Sequence, residues 1–143
     1  MIERSESGML TLWVGGLAFV LMLFGAIVLD GWRVIRIDQS VGDMAERTAK
    51  AGANGIDEAR YRGPKNELVI DEGRAEAIAW DHLEHESDAT LLARAEVEAS
   101  QLRNEVTVSL AREVPFLFLD VFMPGEEPMT VHRKATARPE RSQ

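Results

Sequence analysis

The chain has 143 residues, a net charge of −8 and no cysteine, and its length is typical of one domain. The acidic balance argues against nucleic-acid binding, which needs a basic surface. The absence of cysteine excludes disulfides, thiolate catalysis and cysteine metal ligands.

The first predicted element is an uncharged apolar run of 21 residues, Met9–Leu29. A helix of about 20 apolar residues crosses the hydrocarbon core of a bilayer, which is about 30 Å thick. Trp13 and Trp32 lie toward the two ends of the run, where indole rings favour the membrane interface. The run is longer than a signal-peptide core, and no small-residue cleavage site follows it directly. We therefore predict a transmembrane helix over residues 9–29, preceded by a short N-terminal segment, residues 1–8.

The helical pattern continues beyond the apolar run, because no proline interrupts Met9 through Ala53. Residues 30–54 form an amphipathic extension of the helix, and Gly52, Asn54 and Gly55 are a stop signal. Small and apolar side chains recur there at helical spacing, while charged side chains take the other faces. The narrow apolar stripe predicts an exposed stalk that packs against neighbouring subunits, through Val34, Ile37, Val41 and Met44.

A polar turn follows the long helix, and it allows two interpretations. In one, residues of the turn form a docking surface for a partner subunit: Asp57, Glu58, Tyr61 and Arg62. In the other, the turn is only structural, and Ile56 and Tyr61 pack against a sheet.

A second helix is predicted from about Gly73 to Glu86, opened by Asp71 or Glu72. Its apolar contacts are expected from Ala75, Ala77, Ile78, Trp80 and Leu83.

The last third of the chain alternates apolar and polar residues, as β-strands do. Three antiparallel strands are predicted, with a hairpin turn at Gln101–Asn104. The first is Leu92–Ala99, the second alternates over Val106–Ala111 and is ended by Pro115, and the third is Met129–Ala137. Phe116–Met123 is an apolar stretch that forms a short helix or a covered loop. The predicted fold class is α+β, with a small domain over residues 55–138 and a flexible tail, residues 139–143.

No pattern in the sequence indicates an enzyme. His82 and His85 lie three residues apart beside several acids, but their order matches neither H-E-x-x-H nor H-x-x-E-H. No serine lies in a G-x-S-x-G elbow. We expect no catalytic residue, no metal, no cofactor and no small-molecule substrate.

The order of these features resembles the TadE/TadG-like minor pilins of the Tad (tight adherence, Flp) pilus machinery. The resemblance rests on a glycine before the apolar run and on the segments AGANGIDEARYRG, IDEGRAEAIA and EVTVSLAREVPF. It covers most of the chain, from Ser5 to about Pro139. It implies a pilin-like architecture and a structural or assembly role in a surface filament, with other pilin-like or Tad assembly subunits and membrane lipid as partners.

The resemblance also bears on orientation and processing. It implies a single-pass protein of the plasma (inner) membrane, with a cytoplasmic N-terminus and an extracytoplasmic C-terminal domain. The count of Lys and Arg alone leans the other way, because Arg33 and Arg36 after the run outnumber Arg4 before it. Processing in this family would fall between Gly8 and Met9, but Trp13 occupies the position where processed pilins carry glutamate. We therefore expect an uncleaved accessory member. The alternative is a membrane-anchored extracytoplasmic binding or sensing module with no filament role.

Overall fold

The computed structural model describes residues 3–63, 67–122, 124–125 and 127–140. Its elements in chain order are α1 (Glu3–Ala53), α2 (Glu58–Tyr61), α3 (Glu72–His85), a 3-10 turn (Ala89–Leu91), β1 (Arg94–Ser100), β2 (Glu105–Val114), α4 (Leu119–Phe122) and β3 (Met129–Ala137). The predicted tail falls partly on residues 141–143, which lie outside the described residues.

The chain divides into two compact units. The helix unit consists of Met1–Ile35 and Pro115–Pro128, and the sheet unit consists of Arg36–Val114 and Met129–Gln143. Residues 115–128 therefore group with the first part of α1, although the sequence analysis included them in the domain 55–138.

Helix α1 continues without a break from the apolar run into the predicted extension and ends at Ala53. Its end is closed by two short turns, in which the N–H of Asn54 donates to the carbonyl of Ala51 at 3.2 Å and that of Gly55 to Gly52 at 2.8 Å. These bonds satisfy carbonyls that the end of a helix would otherwise leave free. The stop signal at residues 52–55 is confirmed.

The sheet has the order β1-β2-β3, and both pairings are antiparallel. The α+β class and the three-stranded sheet are confirmed, and β3 has the predicted bounds. Strand β2 runs from Glu105 to Val114 and so is ended by Pro115 as predicted, and Arg112, Glu113 and Val114 pair with the start of β3. The last turn residue, Asn104, has φ 53, a left-handed conformation that asparagine tolerates better than most residues.

One face of the sheet forms the core of the sheet unit, together with α3 and the last part of α1. Alternate residues of β2 point into it, because successive side chains of a strand face opposite sides. Its buried members are Val41, Met44, Ala45, Ala49, Ile70, Ala75, Leu83, Ala99, Val106, Val108 and Leu110. A Cβ on Gly52 would lie 3.1 Å from Cγ1 of Val106, so the helix approaches the sheet closely at this point.

Helix α3 begins as predicted, with Asp71 as its N-cap, whose carboxylate accepts the N–H of Arg74 at 2.9 Å. Its buried face differs in part from the prediction: Ala75, Ala79 and Leu83 are buried, whereas Trp80 is 40% exposed. Spacing of four residues places these three on one stripe.

The approach of α3 to the end of α1 requires small residues. A Cβ on Gly55 would lie only 2.6 Å from Cα of Ala75. An indole at the centre of this contact would not fit, which explains why the alanine face, and not Trp80, is buried.

The side chain of Asn104 hydrogen-bonds the backbone of the segment before α3. Oδ1 of Asn104 accepts the N–H of Ile70 at 2.9 Å, and its Nδ2 donates to the carbonyl of Leu68 at 2.9 Å. Ile70 also forms an antiparallel bridge with Ile56. Backbone hydrogen bonds thus join the turn after α1 to the segment before α3, and the side chain of Asn104 joins that segment to the tip of the hairpin.

Candidate functional site

The apolar run of α1 is long and apolar enough to cross a membrane: its most apolar 18-residue window has a mean hydropathy of 2.5, and 6% of that window is buried. Most side chains from Met9 to Leu29 are exposed, with Ala26 as a buried exception. A core helix of a soluble protein would bury them. The prediction of an apolar N-terminal helix is confirmed. A membrane anchor and a signal sequence both have this property.

The predicted processing site lies on this helix. Gly8 and Met9 are helical and exposed, and a Cβ on Gly8 would meet nothing within 4 Å. Trp13, at the position of the pilin glutamate, is exposed as well. The expectation that the chain is not cleaved between Gly8 and Met9 stays a prediction.

The predicted subunit-packing stripe is not an exposed surface of the sheet unit. Val41 is 0% exposed and Met44 is 2% exposed, and both belong to the core described above. Ile37 is half-buried and packs against the same core, while Val34, in the helix unit, is half-buried. The sheet that covers the stripe is distant in sequence, so the helical pattern alone does not show whether the sheet or a neighbouring subunit covers it. The stalk hypothesis is therefore wrong for Ile37, Val41 and Met44.

An ion pair that the sequence analysis missed flanks this stripe. Nε of Arg133 donates to Oδ1 of Asp38 at 2.7 Å, and its Nη2 donates to Oδ2, so the contact is bidentate. The hydrogen bond from the guanidinium holds the pKa of the Asp38 carboxyl below its usual range, and Asp38 in turn raises the pKa of Arg133. The signal was present, because Arg133 lies in phase with the inward-facing Val131 and Ala135 of β3.

The predicted docking turn is brought together on the surface of the sheet unit. The carboxylate of Glu58 accepts from Arg74 at 2.9 Å and from Arg62 at 3.3 Å. Tyr61 is exposed and Asp57 is half-buried. Exposed ion pairs of this kind contribute about 0–1 kcal/mol each, so the cluster shapes a charged surface more than it stabilises the fold. Ile56 is half-buried and Tyr61 is 41% exposed, so the alternative, in which the turn is only structural, stays open.

A second polar site that sequence reasoning missed lies in the helix unit. Asp30 is 3% exposed and its carboxylate accepts three backbone N–H groups: those of Leu117 at 3.2 Å, Phe118 at 3.1 Å and Leu119 at 2.8 Å. Nη1 of Arg33 donates to the carbonyl of Pro115 at 2.9 Å. Charged hydrogen bonds are among the stronger ones in proteins. We call this group, Asp30 and Arg33 with residues 115–119, the Asp30 clamp.

The histidine-rich end of α3 forms local contacts. Nδ1 of His85 donates to the carbonyl of Asp81 at 2.7 Å, and this bond, with the charges of Asp81 and Glu84, raises the pKa of His85. Nε2 of His82 lies 3.6 Å from a carboxylate oxygen of Glu86. Within the described residues, no group of three or more His, Cys, Asp or Glu side chains is placed to hold a metal ion.

The geometry thus offers two kinds of surface: an exposed apolar helix bearing the Asp30 clamp, and a charged turn at the end of α1. Neither arrangement joins a nucleophile to a base. No protein-family model matches the sequence, and neither the curated proteins nor the solved structures include a significant match to it.

Proposed function

We propose that the chain is a membrane-anchored, pilin-like subunit with a structural or assembly role in a Tad-type pilus or a related secretion apparatus. The observation that carries the proposal is the change of environment along α1. The side chains of Met9–Leu29 are exposed, while Val41, Met44 and Ala49 are buried against an antiparallel sheet. A long N-terminal helix followed by a small sheet domain is the architecture that the resemblance implies.

The exposed apolar run is the part of this proposal with the firmest physical basis. Soluble monomers rarely expose contiguous apolar patches of more than a few hundred Å². In a bilayer the same side chains lie in hydrocarbon, and the helix satisfies its own backbone hydrogen bonds. We place the protein in the plasma (inner) membrane, with a cytoplasmic N-terminus and an extracytoplasmic sheet unit.

Membrane anchorage is tested by alkaline carbonate extraction and intact-mass measurement of the full chain. We expect the protein to stay in the membrane pellet with Met9 still preceded by Gly8. Release into the supernatant would contradict anchorage, and a mature chain beginning at Met9 would contradict only the uncleaved state.

Orientation is tested with a phosphatase fused after Gln143, which is active only outside the cytoplasm. We expect activity. A fusion that is inactive, beside a matched cytoplasmic reporter that is active, would reverse the orientation.

The docking turn is the surface that we propose for contact with partner subunits, because most of the other predicted surface, the apolar stripe, is buried. Glu58, Tyr61 and Arg62 present two charges and a phenol at one exposed position. A photo-crosslinking amino acid in place of Tyr61 should capture pilus or secretion subunits in native membranes. The matched control carries the same group in place of Leu102, which is fully exposed at the hairpin. Equal capture from both positions would contradict a docking role for the turn.

The second candidate function, an extracytoplasmic binding module, has one observation in its favour. A depression of about 280 Å³ on the sheet is lined by side chains that include the cations Arg94, Arg133 and Lys134, the anion Glu96, and Ser109 and His132. Its volume is slightly below the range of about 300–1,000 Å³ typical of small-molecule sites. Isothermal titration of the full chain with inorganic phosphate tests it: saturable binding that is lost in Lys134→Ala would favour this function over the filament role.

A further inference from the structure

The helix unit contains an apolar segment that none of the functions above uses. Pro115–Phe122 has the sequence PFLFLDVF, with one charged residue, and we call it the apolar loop. Three of its large side chains are exposed: Leu117, Phe118 and Val121, the last of them 77% exposed. Large apolar side chains grouped in this way on a loop indicate a surface that meets another apolar phase.

Several backbone N–H and C=O groups of the apolar loop have hydrogen-bond partners in α1, as an apolar environment requires. A chain that enters hydrocarbon must satisfy its N–H and C=O groups within the protein. In the Asp30 clamp, three consecutive N–H groups of the loop donate to one buried carboxylate. Pro115 has no N–H, and its carbonyl accepts from Arg33. The same three donors compensate the Asp30 carboxylate for its removal from water.

An aromatic contact fixes how far the loop extends along α1. The rings of Phe19 and Phe122 meet edge to face, with their centroids 5.8 Å apart and their planes at 78°. Phe19 precedes Asp30 by eleven residues, or about 16 Å along a helix. It is also the middle residue of Met9–Leu29. The loop therefore runs from the end of the apolar run to its centre.

Both ends of the segment that contains the apolar loop belong to one strand pair. Val114 and Met129, which flank residues 115–128, are register partners in the sheet. A segment whose two ends pair with each other does not cross a membrane.

We propose that the apolar loop is a re-entrant membrane element, which inserts Leu117, Phe118 and Val121 among the lipid acyl chains of the leaflet on the Asp30 side of the apolar run. This inference rests on the membrane anchorage in the proposed function. Asp120 is the one charge carried in, and its carboxylate accepts the N–H of Gly125 at 3.4 Å. The penalty for a carboxylate falls toward the interface, where it can reach water. Three large apolar side chains outweigh it.

The test uses the absence of cysteine from the chain. Three single-cysteine variants of the full chain, Val121→Cys, Leu21→Cys and Leu102→Cys, are labelled with an environment-sensitive fluorophore. Each is reconstituted into vesicles of phosphatidylcholine and phosphatidylglycerol, with and without bromine atoms in the acyl chains. Position 21 reports on the anchor, position 102 on the solvent, and position 121 on the loop. Hydrogen exchange of the β2 amides confirms that each labelled variant is folded.

We expect brominated lipid to quench the label at position 121 about as strongly as the label at position 21, and to leave the label at position 102 unchanged. Quenching at 21 but not at 121 would overturn the inference while the anchor stands. A blue-shifted but unquenched label at 121 would overturn it too, because a protein surface, such as a second copy, would then cover the loop. No quenching at either position would overturn both the anchor and the insertion.

Discussion

Met44 provides the sharpest test of whether the apolar stripe belongs to the protein's own core. Its side chain is 2% exposed and lies in the cluster between α1 and the sheet. Replacing a buried methionine by alanine costs about 2–5 kcal/mol, from lost burial and from the cavity left behind. A domain typically has about 5–15 kcal/mol of stability in total. At roughly 5 °C per kcal/mol for a domain of this size, Met44→Ala should lower the Tm of the sheet unit by about 10–25 °C.

The assay must report on the sheet unit and not on the long helix, whose apolar part dominates the circular dichroism of the whole chain. Hydrogen exchange of the amides of Val106, Val108 and Leu110 in the detergent-solubilised protein meets this need, because core amides exchange through global opening. A loss of about 3 kcal/mol accelerates that exchange by about two orders of magnitude.

Met129→Ala is the matched control for Met44→Ala. It makes the same chemical change at a strand end where the side chain is largely exposed, and should cost under about 1 kcal/mol. If core exchange were unchanged in Met44→Ala while crosslinking between copies was lost, the stripe would be a subunit surface after all.

Three further substitutions test contacts that only the structure shows. Gly55→Ala places a Cβ 2.6 Å from Cα of Ala75 and should destabilise the sheet unit by about 1–3 kcal/mol. The control, Gly73→Ala, makes only an ordinary van der Waals contact and should not destabilise it. Equal melting temperatures of the two variants would refute the close approach. Asp38→Asn should lower stability at neutral pH, and this deficit should shrink as the pH falls below 3.8 and through the lowered folded-state pKa of Asp38. A deficit that does not shrink at all in an acid titration would not come from the ion pair. Asp30→Asn weakens charge-assisted hydrogen bonds that contribute about 1.5–3 kcal/mol each. The hydrogen-exchange rate of the three amides bound to Asp30 should therefore rise about tenfold or more. An unchanged exchange rate would show that the Asp30 clamp does not hold the loop.

The elements of the fold were largely readable from the sequence, because the patterns that define them are local. The long helix, the second helix, the hairpin turn and β3 follow from periodicity, caps and glycine positions. The end of β2 follows from Pro115, but the start of β1 does not follow from the pattern: the predicted strand begins at Leu92, whereas β1 begins at Arg94, where its pairing with β2 starts. The side of α3 that is buried also depends on tertiary contact: the alanine face was chosen by the nearness of Gly55, which the helix pattern alone does not show.

The candidate sites were harder to predict, because their partners are far apart in sequence. Asp38 and Arg133 are separated by 95 positions. Asp30 is separated by 87 to 89 positions from the amides that donate hydrogen bonds to it. In the sequence, Asp30 is only the first charged residue after the apolar run, as expected at the end of a transmembrane helix. Its role as a clamp becomes visible only once the apolar loop is placed beside it.

The side-chain bridge made by Asn104 has a consequence for the order in which the sheet unit folds. Its two hydrogen bonds join residues that are 34 and 36 positions apart, so they form only when the segment at residues 67–70 lies beside the hairpin turn. The hairpin is a local structure and closes quickly, whereas the segment at residues 67–70 must cross a long loop to reach it. The bridge therefore forms on the native side of the folding barrier. Interactions that form after the transition state slow unfolding without speeding folding. We therefore expect the Asn104 side chain to lower the unfolding rate of the sheet unit and to leave its folding rate unchanged.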